Sequence, residues 1–128
     1  MRAFHPFSLG VFVLALAGVL TFALSDELRL PAALDGHDKA LHVIAFFVLA
    51  GALVSGASRM AMAGALVALT ALAIGLEWIQ PLLTATREGS LADAAASAVG
   101  IGAGATAALG ARSAALVLRT ARAPAPQR

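Results

Sequence analysis

The chain has 128 residues, of which 60% are hydrophobic and 12% are charged, and its mean hydropathy is +0.88. Soluble domains carry roughly 25% charged residues, so this composition excludes a disordered chain, a solenoid and an ordinary water-soluble enzyme, and it indicates a small integral membrane protein. The lack of cysteine excludes disulfides and thiolate metal sites, and a net charge of only +2 with scattered arginines speaks against nucleic acid as a partner.

Four apolar segments are long enough to cross a bilayer, whose hydrocarbon core of ~30 Å needs roughly 20 apolar residues. They run from about Phe7 to Leu24, Ala40 to Ala57, Met60 to Ile79, and Leu91 to Leu109, the last with a possible extension to Leu118. We therefore predict an all-α fold with four transmembrane helices in a compact bundle. Residues 1–122 form a single domain in this prediction, and 123–128 form a disordered cytoplasmic tail.

The first segment also has features of a secretory signal peptide, since Arg2 precedes it and Ala23-Leu24-Ser25 follows it. Its apolar run exceeds the ~7–15 residues of a signal h-region. We therefore expect the first span to be retained as a membrane helix.

Basic residues near the span ends predict the orientation of the helices. With four spans, six arginines fall on one side and three basic residues on the other: Arg2, Arg59, Arg112, Arg119, Arg122 and Arg128 against Arg29, Lys39 and Arg87. This excess favours cytoplasmic termini. The seven acidic residues all lie in or near the loops predicted to face outward.

Small residues recur along the fourth segment, where Ala96, Gly100, Gly104 and Ala108 are spaced four apart. Because lipid gives helices no hydrophobic drive to associate, such stripes are typical of close helix contacts. The Gly100/Gly104 pair fits packing within the chain and an oligomer equally well.

Polar residues gather at three predicted helix ends that share one membrane face. The second span opens with Asp38, Lys39 and His42, the third closes with Glu77 and Gln80, Arg87 lies in the next loop, and the fourth opens with Asp93 and Ser97. A charged group in a membrane helix costs roughly 2.5–3.5 kcal/mol at the helix centre and less near its ends. We therefore expect Glu77 to point inward and to pair with Arg87, Lys39 or His42.

Structural interpretations compete with a binding site. Asp38 fits an N-cap, Ser90 and Asp93 fit a capping box, Lys39 fits an interfacial snorkelling side chain, and Trp78 fits an interface anchor. Proline 81 is expected to end the third helix. His37, Asp38 and His42 match no specific metal-ligand spacing, so no metal and no cofactor are expected.

The stretches DKALHVIAFF, IGLEWIQ, TREGSLAD and AVGIGAG occur in an order that resembles the VanZ-like family of small bacterial membrane proteins. The resemblance extends from about Asp38 to Gly104. It departs at Ser97, where the family commonly has asparagine, and serine lacks the bidentate geometry of the amide. The family is named after a member associated with low-level teicoplanin resistance. The resemblance implies a role at the bacterial cell envelope and supplies no reaction, cofactor or catalytic set.

Three functions remain open at this stage. In the first, the polar residues bind an envelope lipid, a cell-wall precursor or a glycopeptide, with Lys39 and Arg87 on an anionic group and Asp38, Glu77 and Asp93 on an amine or hydroxyl. In the second, the protein is a membrane enzyme in which His42, with Glu77 or Asp93, performs acid–base chemistry on an envelope lipid. In the third, the polar residues are purely structural. A transporter is a weaker idea, because the spans carry no midplane charge.

Overall fold

The protein is all-helical in its computed structural model, which describes residues 4–25, 28, 34, 36–85 and 88–122. The four helices are α1 (Pro6–Ala23), α2 (Asp38–Gly56), α3 (Arg59–Leu83) and α4 (Leu91–Ala121). All four are long and apolar enough to cross a membrane, which confirms the four predicted segments. The expected disordered tail, 123–128, lies outside the described residues.

Helix α3 continues past the proline that was expected to end it. Pro81 lies inside the helix, which ends at Leu83 with Thr84 as its C-cap. Because proline has no N–H, the carbonyl of Glu77 loses its helical donor. Gly89 lies against this carbonyl so closely that a Cβ at position 89 would overlap it. The expected end at Ile79 is therefore wrong, and the loop that follows α3 packs back onto the last turns of this helix.

Helix α4 has 31 residues, and at 1.5 Å per residue it is about 46 Å long. It extends beyond the predicted ends at Leu109 and Leu118. Gly110 continues the helix instead of capping it, and the alanine-rich sequence that follows has no proline up to Ala121. Ser113–Ala121 therefore form an overhang beyond Arg112, which is level with the last residues of α2.

Helices α2 and α4 run parallel and pack against each other most extensively. At two points the backbones touch, since a Cβ at Gly100 would overlap the carbonyl of Val43, and one at Gly104 would overlap the carbonyl of Phe47. Both glycines are buried. The Gly100/Gly104 pair thus packs within the chain, as one of the two predicted alternatives requires.

The apolar core lies between α2, α3 and α4, and α1 covers it from the side. Its buried members are Phe46, Leu49, Ala50, Leu69, Ala73, Leu76 and Ile101. Half-buried side chains of α1, among them Phe12 and Leu16, pack against this core.

The two ends of the bundle differ in their polar contacts. At the end where α1 and α3 begin, here called the terminal end, Arg112 donates from one nitrogen to the carbonyls of Val54 and Ala57, at 2.6 and 3.0 Å. The N–H of His5 donates to the carbonyl of Gly56 at 2.9 Å. At the opposite end, called the cluster end, α2 and α4 begin, and the predicted polar residues lie there.

We predict that Gly104→Ala lowers the free energy of unfolding by about 1–3 kcal/mol, because the added methyl overlaps backbone that a rotamer change cannot move. The matched control is Gly102→Ala, since nothing lies within 4 Å of a Cβ at that position. Unfolding in detergent, followed by circular dichroism, measures both variants. Equal losses of stability would contradict the backbone contact between α2 and α4.

Candidate functional site

Three helices contribute side chains to one polar cluster at the cluster end. We use this name for Lys39 and His42 of α2, Glu77 of α3, Ser90, and Asp93 and Ser97 of α4. Because α3 runs antiparallel to α2 and α4, its last turns meet their first turns. The convergence predicted from the sequence is therefore present for these residues.

Glu77 is the most buried ionisable group of the cluster, with 6% of its surface exposed. Its Oε2 atom accepts a hydrogen bond from the backbone N–H of Ser90 at 3.0 Å. Its Oε1 atom is buried and has no hydrogen-bond partner within the described part of the chain. The inward orientation expected for Glu77 is confirmed.

His42 lies between a hydroxyl and a carboxylate. Its Nδ1 atom is 3.1 Å from Oγ of Ser97, which is fully buried, and 3.9 Å from Oε1 of Glu77. The first distance is a hydrogen bond and the second is longer than one. Both neighbours share a single ring nitrogen, whereas a serine–histidine–acid triad uses the two ring nitrogens separately. The three residues therefore do not form such a triad.

The start of α4 is capped in a way that the sequence did not predict fully. Oγ of Ser90 accepts from the N–H of Asp93 at 3.3 Å, which is one half of the expected capping box. In the other half, the N–H of Ser90 would donate to Asp93, but it donates to Glu77 instead. That half of the prediction is wrong, because the buried carboxylate of Glu77 accepts from this donor.

Asp93 is thereby left with an incompletely paired carboxylate. Its side chain is 18% exposed and its Oδ1 lies 3.9 Å from Nζ of Lys39, a side chain that is itself 68% exposed. Oδ1 of Asp93 is buried and, among the residues described, accepts no hydrogen bond. Lys39, expected as one possible partner of Glu77, faces Asp93 instead.

The other predicted site residues lie apart from these contacts. Asp38 is exposed as the first residue of α2, and the N-cap is His37, so the expected capping role of Asp38 is wrong. Gln80 is buried one turn beyond Glu77, and its backbone carbonyl accepts a hydrogen bond from the hydroxyl of Thr84 at 2.8 Å. Trp78 is 71% exposed. Arg87 lies outside the described residues.

Two features of the site escaped sequence reasoning. Ser90 was assigned to capping alone, yet its backbone N–H holds Glu77 in place. Gly89 was not singled out, although its lack of a side chain lets the loop reach the Glu77 carbonyl. The spacing of Glu77 and Pro81, four residues apart, was the available signal, because a proline frees the carbonyl four residues before it.

Within the described residues, no group of three or more histidine, cysteine, aspartate or glutamate side chains could hold a metal ion. What the cluster offers is a set of hydrogen-bonding and charged groups: two carboxylates, an imidazole, two serine hydroxyls and an exposed ammonium. Carboxylate oxygens accept hydrogen bonds from amines and hydroxyls, and an ammonium attracts anions.

No protein-family model, curated protein or solved structure matches this chain. The resemblance to the VanZ-like family therefore stays a prediction. Ser97, which departs from the family pattern, is the residue that hydrogen-bonds His42.

We predict that Glu77→Gln changes the stability little, whereas Glu77→Leu lowers the free energy of unfolding by about 1–3 kcal/mol. Glutamine keeps an acceptor for the Ser90 N–H and removes a buried charge, while leucine leaves that donor unpaired. Chemical unfolding of both variants in detergent measures the difference. A loss of about 3–5 kcal/mol in Glu77→Gln would instead show a broken buried ion pair with His42, and thus a structural role.

Proposed function

We propose that this chain is a VanZ-like integral membrane protein of the bacterial cell envelope. It crosses the cytoplasmic membrane four times, with both termini in the cytoplasm. At the outer face, its polar cluster binds an envelope lipid, a cell-wall precursor or a glycopeptide.

The surface of the bundle supports the membrane part of this proposal. Large apolar side chains are exposed in the middle of the helices, such as Leu14 at 76% and Val67 at 69%. In water such a surface would favour aggregation, whereas in a bilayer it faces lipid. The described arginines lie at or beyond the terminal end, and Lys39 is the described basic residue of the lysine–arginine class at the cluster end. This excess of arginine supports cytoplasmic termini.

The observation that carries the binding proposal is the Oε1 atom of Glu77, which has no hydrogen-bond partner in the described part of the chain. More than nine-tenths of this residue is buried, and burial of a carboxylate is costly unless its oxygens are paired. Buried polar atoms without partners are rare and point to a missing ion, water or ligand. His42, which lies 3.9 Å from Oε1 of Glu77, and Asp93 are only partly buried, so the cluster reaches the surface of the bundle.

An acid–base enzyme is the second candidate, and the position of His42 favours it. One imidazole nitrogen lies against both the Ser97 hydroxyl and the Glu77 carboxylate, and histidine is the side chain best suited to proton transfer near neutral pH. Such an enzyme would act on an envelope lipid that reaches the same cluster. The two candidates differ in whether the bound molecule is chemically changed.

We predict that position 88 faces the outside and position 122 faces the cytoplasm. Because the chain has no cysteine, the single variants Glu88→Cys and Arg122→Cys give an unambiguous readout. A membrane-impermeant maleimide should label Glu88→Cys in intact spheroplasts and label Arg122→Cys only after lysis. The reverse pattern would contradict the orientation, and labelling of both in intact spheroplasts would place both positions on one side.

The binding proposal predicts that the protein retains lipids or precursors from a total bacterial membrane extract and that Glu77→Gln retains about tenfold less. One lost hydrogen bond to a charged group, worth about 1.5–3 kcal/mol, accounts for a loss of that size. Native mass spectrometry of protein reconstituted in nanodiscs of this extract measures the bound molecules.

Glu88→Gln is the matched control, because Glu88 is exposed and has no contact with the cluster among those described. Equal retention by the native protein and Glu77→Gln would contradict the binding proposal. A retained molecule whose mass changes with time, and stops changing in His42→Gln, would favour the enzyme.

A further inference from the structure

Two carboxylate oxygens of the polar cluster are buried without a hydrogen-bond partner in the described residues, Oε1 of Glu77 and Oδ1 of Asp93. Both belong to residues that contact Ser90, whose N–H donates to Oε2 of Glu77 and whose hydroxyl oxygen accepts from the N–H of Asp93. A molecule that completes the cluster must therefore bring hydrogen-bond donors.

The charges of the cluster favour a positively charged donor. Glu77 and Asp93 contribute two carboxylates, and Lys39 is the one lysine within 4.0 Å of either in the described chain, at 3.9 Å from Oδ1 of Asp93. His42 also approaches Glu77 at 3.9 Å, but its Nδ1 lies nearer to Ser97, at 3.1 Å. Neither nitrogen is within hydrogen-bond distance of the unpartnered oxygen that it faces. A further cation would thus gain charge-assisted hydrogen bonds that these side chains do not make.

We infer that the polar cluster takes a primary ammonium group that is joined to an anionic phosphate. This inference rests on the proposed function, because it assumes that the cluster binds an envelope molecule. The chain itself places a primary ammonium, that of Lys39, beside Asp93. The ammonium of the ligand replaces it there and reaches Glu77, and Lys39, whose side chain is 68% exposed, turns to the attached phosphate.

A quaternary ammonium does not suit this cluster. It carries no N–H, so it leaves both buried oxygens unpaired, and proteins bind such groups in cages of aromatic rings. Among the described residues, the aromatic side chain in ring contact with the cluster is Phe46, which stacks on His42 with a centroid distance of 6.5 Å. The cluster therefore distinguishes headgroups by their N–H donors rather than by charge alone.

Phosphatidylethanolamine and its N-methylated derivatives test this inference, since successive methylation removes N–H donors up to phosphatidylcholine while the charge and the phosphate stay the same. The full-length protein is placed in phosphatidylcholine nanodiscs that contain one test lipid, and lipid occupancy is measured by native mass spectrometry. We expect occupancy to fall with each added methyl. The affinity for phosphatidylethanolamine should exceed that for phosphatidylcholine about tenfold or more, since one charge-assisted hydrogen bond has that value.

Variants separate the cluster from the rest of the surface. Glu77→Gln and Asp93→Asn should lose the preference for phosphatidylethanolamine, and Glu88→Gln should keep it. Only variants whose unfolding temperature equals that of the native protein are compared. If Glu77→Gln fails to fold, Asp93→Asn provides the test. Free phosphoethanolamine added as a competitor distinguishes the source, because it displaces the lipid only if the headgroup alone is recognised.

Two results overturn the inference and leave the proposed function in place. One is equal occupancy by all members of the methylation series together with a loss in Glu77→Gln, and the other is a preference for phosphatidylglycerol, which has a phosphate and no amine. Occupancy that is the same in the native protein, Glu77→Gln and Asp93→Asn for every lipid would overturn both.

Discussion

The close contact between the backbones of α2 and α4 positions everything else at the cluster end. Gly100 and Gly104 lie against the carbonyls of Val43 and Phe47, where any side chain would overlap. His42 directly precedes Val43, and Ser97 lies one turn before Gly100 on α4. The distance of 3.1 Å between them is thus set by a contact that involves no side chain of the cluster.

Helix α3 contributes the buried carboxylate of Glu77 to the site that α2 and α4 form. Glu77 is buried at the point where Pro81 has removed a backbone donor from α3, and Gly89 and Ser90 pack onto the same turn. One carboxylate oxygen accepts from Ser90 at the start of α4, and the other has no donor among the residues that the structure describes. A residue selected only for stability would not need that second oxygen, since an amide would hold Ser90 equally well. The binding proposal rests on that second oxygen, which an amide at position 77 would replace by a neutral group.

Much of the fold could be predicted because the physical constraint is simple. A membrane helix needs a long apolar run, and this chain has four. The burial of Glu77 followed from the same reasoning, because a carboxylate is costly on a lipid-facing surface. The gathering of His42, Glu77 and Asp93 followed from helix ends that share one membrane face.

The parts that could not be predicted depend on tertiary contacts. Local propensity alone predicts that Pro81 ends the helix. The structure keeps Pro81 within α3, and the following loop packs against the carbonyl that the proline leaves without a donor. The partner of Asp93 could not be deduced from spacing, since a capping box and a contact with Lys39 use the same carboxylate. The hydrogen bond from Ser90 to Glu77 could not be predicted from local sequence, because the two residues are 13 positions apart and meet only through tertiary packing.

Arg112 has a consequence for how the protein meets charged lipids. Counted along the sequence, it is one more cation at the terminal end, but its guanidinium is bound to the last carbonyls of α2, where the helix dipole concentrates negative charge. The negative end of α2 thereby offsets part of the positive charge of Arg112. Among the described residues of this end, the exposed guanidinium groups are those of Arg59, Arg119 and Arg122. These groups are better placed than Arg112 to attract an anionic surface, so a simple tally of arginines overstates that attraction.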